Sequence, residues 1–232
     1  MSRQLQKPLS AQRRRRKERI TERFEEVYRV GMWGRDALAT DGYCSGYGSR
    51  DVNITGPYVD AIRDFVAGKG RLDAVDLGCG DFVIGAQLRP LFGRYVACDV
   101  AASLIARNNE KFGSRDVDFR HLDITSDPLP EGDIAFCRQV LQHLSNADIR
   151  FFVRSLRDSG YRYFVLTEEL PIGSFTPNGD TETGPYVRLD SKGNRGGVVL
   201  TEPPFDLAVQ SAEILCDVSD GRSVYQTIVY TL

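Results

Sequence analysis

No run of this sequence stays apolar for the roughly 18 residues that a bilayer span requires, so no membrane-crossing segment is expected. The arginines near its start are followed by no apolar segment. They do not read as a secretory signal, and a cytoplasmic location is the expectation. Cysteine occurs five times (Cys44, Cys79, Cys98, Cys137, Cys216), an odd number without paired spacing. At least three of these fall in expected strand ends, where a reduced thiol packs as a small apolar group, so neither a disulfide framework nor a zinc site is expected. No compact acidic cluster suggests a catalytic divalent ion, and no metal is assigned. A net charge of -2 gives no global attraction to nucleic acid or to an anionic membrane. What is present is ordinary: 232 residues, 41% hydrophobic and 27% charged, suit one globular domain with a full core.

The charge balance breaks locally at RRRRK, Arg13 to Lys17. The acidic remainder of the chain favours the solvated face of a helix over a nucleic-acid footprint. A helix is expected over Ala11 to Val30, because Ile20, Phe24, Val27 and Tyr28 recur at helical spacing opposite a charged face. Trp33 to Asp51 is too polar and too glycine-broken for a regular element, and Pro57 to Val66 reads as a second amphipathic helix. From Leu72 onward apolar runs alternate with helical ones. Strands are expected at Leu72 to Gly78, Tyr95 to Val100, Val117 to Ile124, Asp133 to Cys137 and Arg162 to Thr167. Helices are expected at Val83 to Phe92, Ala101 to Phe112 and Asp148 to Arg157. Such alternation predicts an α/β fold with a mostly parallel sheet covered by helices on both faces. Ala212 to Val218 and Ser223 to Tyr230, joined by SDGR, close the chain as an antiparallel hairpin. The expected organisation is a helical lid and glycine-rich closing segment over residues 1–56, then a Rossmann-like domain over 57–232 with a long functional loop at 170–198.

The turn VDLGCGDFVIG, Val75 to Gly85, follows the first strand, where an open α/β sheet binds its ligand. A dinucleotide fingerprint would read GxGxxG with pyrophosphate on the helix N-terminus. Here Gly78, Gly80 and Gly85 give GxGxxxxG, and Asp81 would repel a phosphate. A zwitterion without phosphate, S-adenosylmethionine, suits nearby carboxylates better. Asp99, nineteen residues beyond Gly80, offers an acceptor for ribose hydroxyls. Nicotinamide enzymes place an acid at the same distance, so a dehydrogenase remains an alternative, and helix capping remains one for Asp76 and Asp81.

These residues resemble the class I S-adenosylmethionine-dependent methyltransferases. VDLGCGDF is similar to that superfamily's first motif, ACDV (Ala97 to Val100) to its second, FRHLDI (Phe119 to Ile124) to its third and DIAFCRQVLQHL (Asp133 to Leu144) to its fourth. The resemblance implies a seven-stranded sheet in the order 3-2-1-4-5-7-6 with strand 7 antiparallel. It also implies S-adenosylmethionine as cofactor, with Asp76, Gly78 and Gly80 around its methionine part. Asp99 would take the ribose, Val100 the adenine face, and Asp123 and Ile124 the adenine edge. Arg138 and Gln139 would lie beside the transferable methyl. Trp33-Gly34, SGYGS and EPPF resemble a small bacterial subgroup with an SGxGS loop, in which Ser45, Gly46 and Ser49 would meet the cofactor carboxylate with Arg50 as counter-charge.

Methyl transfer to a hydroxyl needs a proton acceptor. His143, just past the fourth strand, has an unperturbed pKa suited to a base near neutrality, with a backbone-bonding role at a helix start as the alternative. His121, within the third strand, reads as structural. Asn178, Asp180, Tyr186, Arg188 and Asn194 in the long loop form a polar set that points to a small polar or glycan hydroxyl acceptor. The competing functions are an RNA methyltransferase docking through RRRRK and a non-catalytic module that binds the cofactor.

Overall fold

A computed structural model describes residues 11–34, 42–188 and 196–232, so Asn194 lies outside the described residues. Its centre is β1 (Ala74–Leu77), β2 (Tyr95–Asp99), β4 (Ile134–Arg138) and β5 (Tyr163–Pro171), which are buried along most of their lengths. β3 (Asp118–His121), β6 (Ser211–Ser219) and β7 (Ser223–Thr231) complete a seven-stranded sheet in the order β3-β2-β1-β4-β5-β7-β6. β1 to β5 pair in parallel, whereas β7 runs antiparallel to both β5 and β6. This is the expected topology.

Residue alternation decides what each face packs against. Val75, Leu77, Val96, Cys98, Ala135 and Phe164 point to one side. There they meet Ile20, Phe24 and Val27 of α1 (Ala11–Val30) and Ile149, Phe152 and Leu156 of α5 (Asn146–Arg157). Their chain neighbours Ala74, Tyr95, Ala97, Ile134, Phe136 and Tyr163 face the other side, against Tyr58, Ile62 and Val66 of α2 (Val52–Val66). A one-residue slip would exchange these sets, so the register is tightly specified. α4 (Ala102–Phe112) flanks β2 and β3 and touches α1, whose Glu25 accepts the Ser103 amide at 2.9 Å.

Several elements differ from the sequence expectation, β5 running on to Pro171 among them. α2 begins at Val52 rather than Pro57, because the Asp51 carboxylate accepts the Asn53 amide at 2.8 Å and caps the helix. The helix therefore runs through the expected division between residues 56 and 57. The helix expected from Val83 shrinks to α3 (Gly85–Leu88), followed by a 3-10 turn at Arg89–Leu91. The cause lies in Phe82 and Pro90. Phe82 takes a left-handed φ of 62° to insert its ring between Tyr95, Phe112 and Phe119, and Pro90 has no amide to continue an α-helix. β3 stops at His121, because the Asp123 carboxylate gathers the Thr125 amide and Ser126 hydroxyl into a turn.

Phe82 is fully buried among three aromatic rings. Phe82→Ala is expected to cost about 3–5 kcal/mol in unfolding free energy, read from urea denaturation, through the cavity it leaves.

Candidate active site

Leaving β1, the chain turns through Gly78 and Gly80 at φ 85° and 54°. The amides of Gly78 and Cys79 both donate to the Cys98 carbonyl at 2.8 Å, which ties the turn to β2. A Cβ on Gly78 would lie 2.4 Å from a Val140 methyl, and one on Gly80 would lie 2.4 Å from the Ser45 hydroxyl. Only glycine fits there. Gly85, two places late for a dinucleotide fingerprint, has a different job: a Cβ there would strike the Phe82 ring at 2.3 Å. From behind, buried α4 side chains brace the turn, Asn108 donating to the Gly80 carbonyl at 2.7 Å and Arg107 to the Asp81 carbonyl at 2.9 Å. Neither residue carried a motif signal in the sequence.

Above the carboxyl ends of the strands lies a cavity of about 650 Å³. Asp76, Gly78, Gly80, Asp99, Val100, Asp123, Ile124, Arg138, Gln139 and His143 all line it, and Ser45, Gly46 and Ser49 form part of its wall. Of the expected cofactor-contacting residues, Arg50 alone is off that wall. Of the polar set expected to meet the acceptor, Asn178, Asp180, Tyr186 and Arg188 are off it as well, because Asn178, Asp180 and Arg188 bond to neighbouring backbone and side chains and the Tyr186 ring is exposed. The Arg50 guanidinium meets the Asp81 carboxylate at 2.7 Å, and the same oxygen accepts the Ser45 amide at 3.0 Å. The Ser45 hydroxyl in turn accepts the Asp81 amide at 2.8 Å. Arg50 thus fastens the upstream loop to the first turn. Arg138 holds the far end of that loop, donating to the Gly48 carbonyl at 2.6 Å and to Gln139 Oε1 at 2.8 Å.

The carboxyls at the cavity floor are electrostatically unusual. Burial pushes Asp76 up to about 7, opposed by a hydrogen bond from the Tyr95 hydroxyl at 3.2 Å and reinforced by Asp99. Burial likewise lifts Asp99 to about 6, although the amides of Ala101 and Gly80, each at 3.0 Å, favour its charged form. Asp123 is engaged within its own turn, accepting from Thr125 and from the Ser126 hydroxyl at 2.7 Å.

α1 roofs the cavity with Ile20, Phe24 and Tyr28, and Trp33 follows. Part of RRRRK secures this roof. Arg13 donates to the Ser126 carbonyl at 2.6 Å, Arg16 to the Thr125 carbonyl at 2.8 Å, and Lys17 pairs with Asp127 at 2.5 Å. Arg14 and Arg15 are exposed. The sequence also gave no sign that Glu169, Arg222 and Tyr225, around the β6–β7 hairpin, would reach the same cavity.

His143 closes a 3-10 turn at Leu141–His143. Its Nδ1 lies 3.3 Å from the Tyr186 carbonyl, which assigns the proton to Nδ1 and leaves Nε2 as an acceptor, facing the Gln142 side-chain amide at 3.4 Å. The ring packs 4.9 Å from that of Trp33, whose indole donates to the Pro185 carbonyl at 3.0 Å. The expected titration near neutrality is corrected here: burial drives His143 down to about 4. His121 meets the Val100 carbonyl at 3.0 Å. Among the described residues, no group of three or more His, Cys, Asp or Glu side chains is placed to hold a metal, and no helix is long and apolar enough to cross a membrane.

Residues 75–159 match a family described as a methyltransferase domain. An uncharacterized methyltransferase of Mycobacterium tuberculosis is 26% identical over 91 residues, 38% of this chain and 46% of that protein. The match thus spans about half the length of that relative. The N-methyltransferase NodS from Bradyrhizobium japonicum, solved with S-adenosyl-L-homocysteine, is similar in fold, with a TM-score of 0.58 and 13% identity over 79% of this chain and 89% of that one. The [4+2]-cyclase SpnF is similar at a TM-score of 0.60 and 16% identity, covering 93% of this chain and 96% of that one.

Asp76 and Asp99 titrate higher in the fold than in an unfolded chain, where an aspartate titrates near about 3.9. The folded state therefore binds more protons, and this contribution to stability is full below the unfolded value and lost as pH rises through about 6 and 7. The ligand-free melting temperature should fall across that window. Asp76→Asn should flatten the upper part of the fall in calorimetry, whereas an unchanged slope would show that Asp76 is already ionised.

Proposed function

We propose that this chain is a class I S-adenosylmethionine-dependent methyltransferase, a reading supported by its sheet order and its methyltransferase-domain match at residues 75–159, and that it methylates a hydroxyl on a small polar or sugar-bearing acceptor. The observation that carries the reading is the pair of buried carboxyls, Asp76 and Asp99, beside two glycines whose side-chain space is already occupied. A buried carboxyl with a raised pKa gains most from a cation, which restores the ionised form. An ammonium and a sulfonium meet that need, and a diphosphate does not. Bound there, S-adenosylmethionine supplies an electrophilic methyl group on sulfur.

The remaining work falls to the chain's own residues. Asp99 would accept the ribose hydroxyls, Val100 and Ile124 would cover the adenine, and Asp123 would meet its edge. The Ser45 to Ser49 loop would take the cofactor's carboxylate, with Arg50 acting through Asp81 rather than by direct contact. Arg138 and Gln139 would shape the wall beside the methyl. Much of the acceleration would come from holding the acceptor oxygen in line within a water-poor cavity.

His143 would accept the hydroxyl proton at Nε2. A pKa of about 4 makes it a weak base, yet the imidazole is neutral at physiological pH. As the oxygen–methyl bond forms, the hydroxyl proton becomes far more acidic than imidazolium, so its transfer to Nε2 runs downhill.

A second reading has a specific motive, because SpnF is a [4+2]-cyclase with a similar fold. On that reading the chain would bind the cofactor without transferring its methyl.

S-adenosylhomocysteine should raise the melting temperature, by about 2.7 kcal/mol of stabilisation at a hundredfold excess over Kd, and NAD should not. The reverse pattern would restore the dehydrogenase alternative. Radiolabelled methyl donor, screened against polyols, sugars and RNA with mass spectrometry of the product, separates transfer from mere binding. With an accepted substrate, His143→Ala should lower kcat by about a hundredfold while leaving S-adenosylhomocysteine affinity intact. His143 should impose no loss of rate between about pH 5 and 8 and an acid limb near 4.

A further inference from the structure

Arg188 is only 1% exposed, an uncommon place for a guanidinium. It donates to the Leu144 carbonyl, to the Gly179 carbonyl and, at 2.7 Å, to Asn146 Oδ1. Two of those partners flank the start of α5, immediately after the turn that bears His143. Buried Glu168, on β5, lies close enough for its charge to be favoured by Arg188 and by the amides of Leu141 and Gln142. Among the described residues no donor stands in hydrogen-bond geometry with either of its oxygens, and burial lifts it to about 8. The direct bonds of Arg188 are therefore the firmer anchor.

What Arg188 anchors is the segment that backs His143. Gly184 donates its amide to the His143 carbonyl at 2.9 Å, Pro185 receives the Trp33 indole proton, and Tyr186 supplies the carbonyl facing Nδ1. Tyr186 is two residues from Arg188, and its own ring is exposed.

We infer that Arg188 is a positioning residue: its bonds to Leu144, Asn146 and Gly179 fix the 183–188 strap and so hold the Tyr186 carbonyl on His143. The consequence for turnover rests on the proposed role of His143 as the base, whereas the effect on the ring does not. The groups facing that ring are Trp33 at the end of α1, Gln142 on its own turn and the Tyr186 carbonyl, none of which titrates near neutrality. Loosening the strap admits water to the imidazole, which relieves the desolvation that holds its pKa down and outweighs the loss of the Tyr186 bond, a contact that favours the charged form. Without that bond the two neutral tautomers mix.

The test is nitrogen-detected NMR titration of the histidines in the full chain, which has just two, with His121 as internal reference. In the wild type His143 should titrate at about 4 with the proton on Nδ1. In Arg188→Gln it should move toward the ordinary imidazole value of about 6.5 and show mixed tautomers. Arg188→Lys, which keeps charge but not the fork, should move it less, and it carries the test if the glutamine variant does not fold. Leu88→Ala destabilises the core on the opposite face and should leave His143 unmoved. The inference is overturned if His143 titrates alike in wild type and Arg188 variants, or if Leu88→Ala shifts it equally. A moved titration with unchanged turnover would uphold the positioning role and remove His143 as the base.

Discussion

Asp76 and Asp99 end two neighbouring parallel strands, and both are held out of water. An unpaired buried carboxylate is costly, and these two are tolerated because the Tyr95 hydroxyl and the amides of Gly80 and Ala101 reach them. The Gly80 contact requires a turn tight enough for its amide to face β2, hence the two glycines at positive φ. That turn in turn requires bracing from Asn108 and Arg107 of α4. A local electrostatic need thus extends across three elements.

The roof serves the same end. α1 is fastened by an apolar stripe, by Glu25 on the start of α4, and by Arg13, Arg16 and Lys17 on the turn that follows β3. The upstream loop is clipped down between Asp81 and Arg138. These attachments keep the local dielectric low, which strengthens any attraction between the floor carboxyls and a cation. They also compensate Asp81 with Arg50, so the acidic character of the cavity rests on Asp76 and Asp99 rather than on all three aspartates of the β1 and β2 ends.

The wall of the cavity that bears His143 is built on another principle. There the strap at 183–188 and the end of α1 close on His143 with carbonyls and rings instead of charges. A dry, neutral imidazole with Nδ1 on a carbonyl and Nε2 facing the Gln142 amide has low basicity and a fixed direction. For a reaction whose proton turns strongly acidic as the new bond forms, direction matters more than basicity.

The sequence by itself determined which runs are strands and that most of them lie parallel, because alternation within each run and the intervening helices leave few arrangements, while the strand order was implied by the family resemblance. It also located Asp76, Gly78 and Gly80, which lie close together on one strand and its turn, and Asp99 at the end of the next strand. α2 starts earlier than its periodicity suggested because a side chain, Asp51, supplies the cap. α3 is short because Phe82 serves a distant aromatic cluster rather than its own helix. The tertiary structure alone decided the partner of Arg50, the basicity of His143 and the anchoring by Arg188. Each depends on groups separated by tens of residues, and the exclusion of water that sets their energies belongs to the assembled fold rather than to any local stretch of chain.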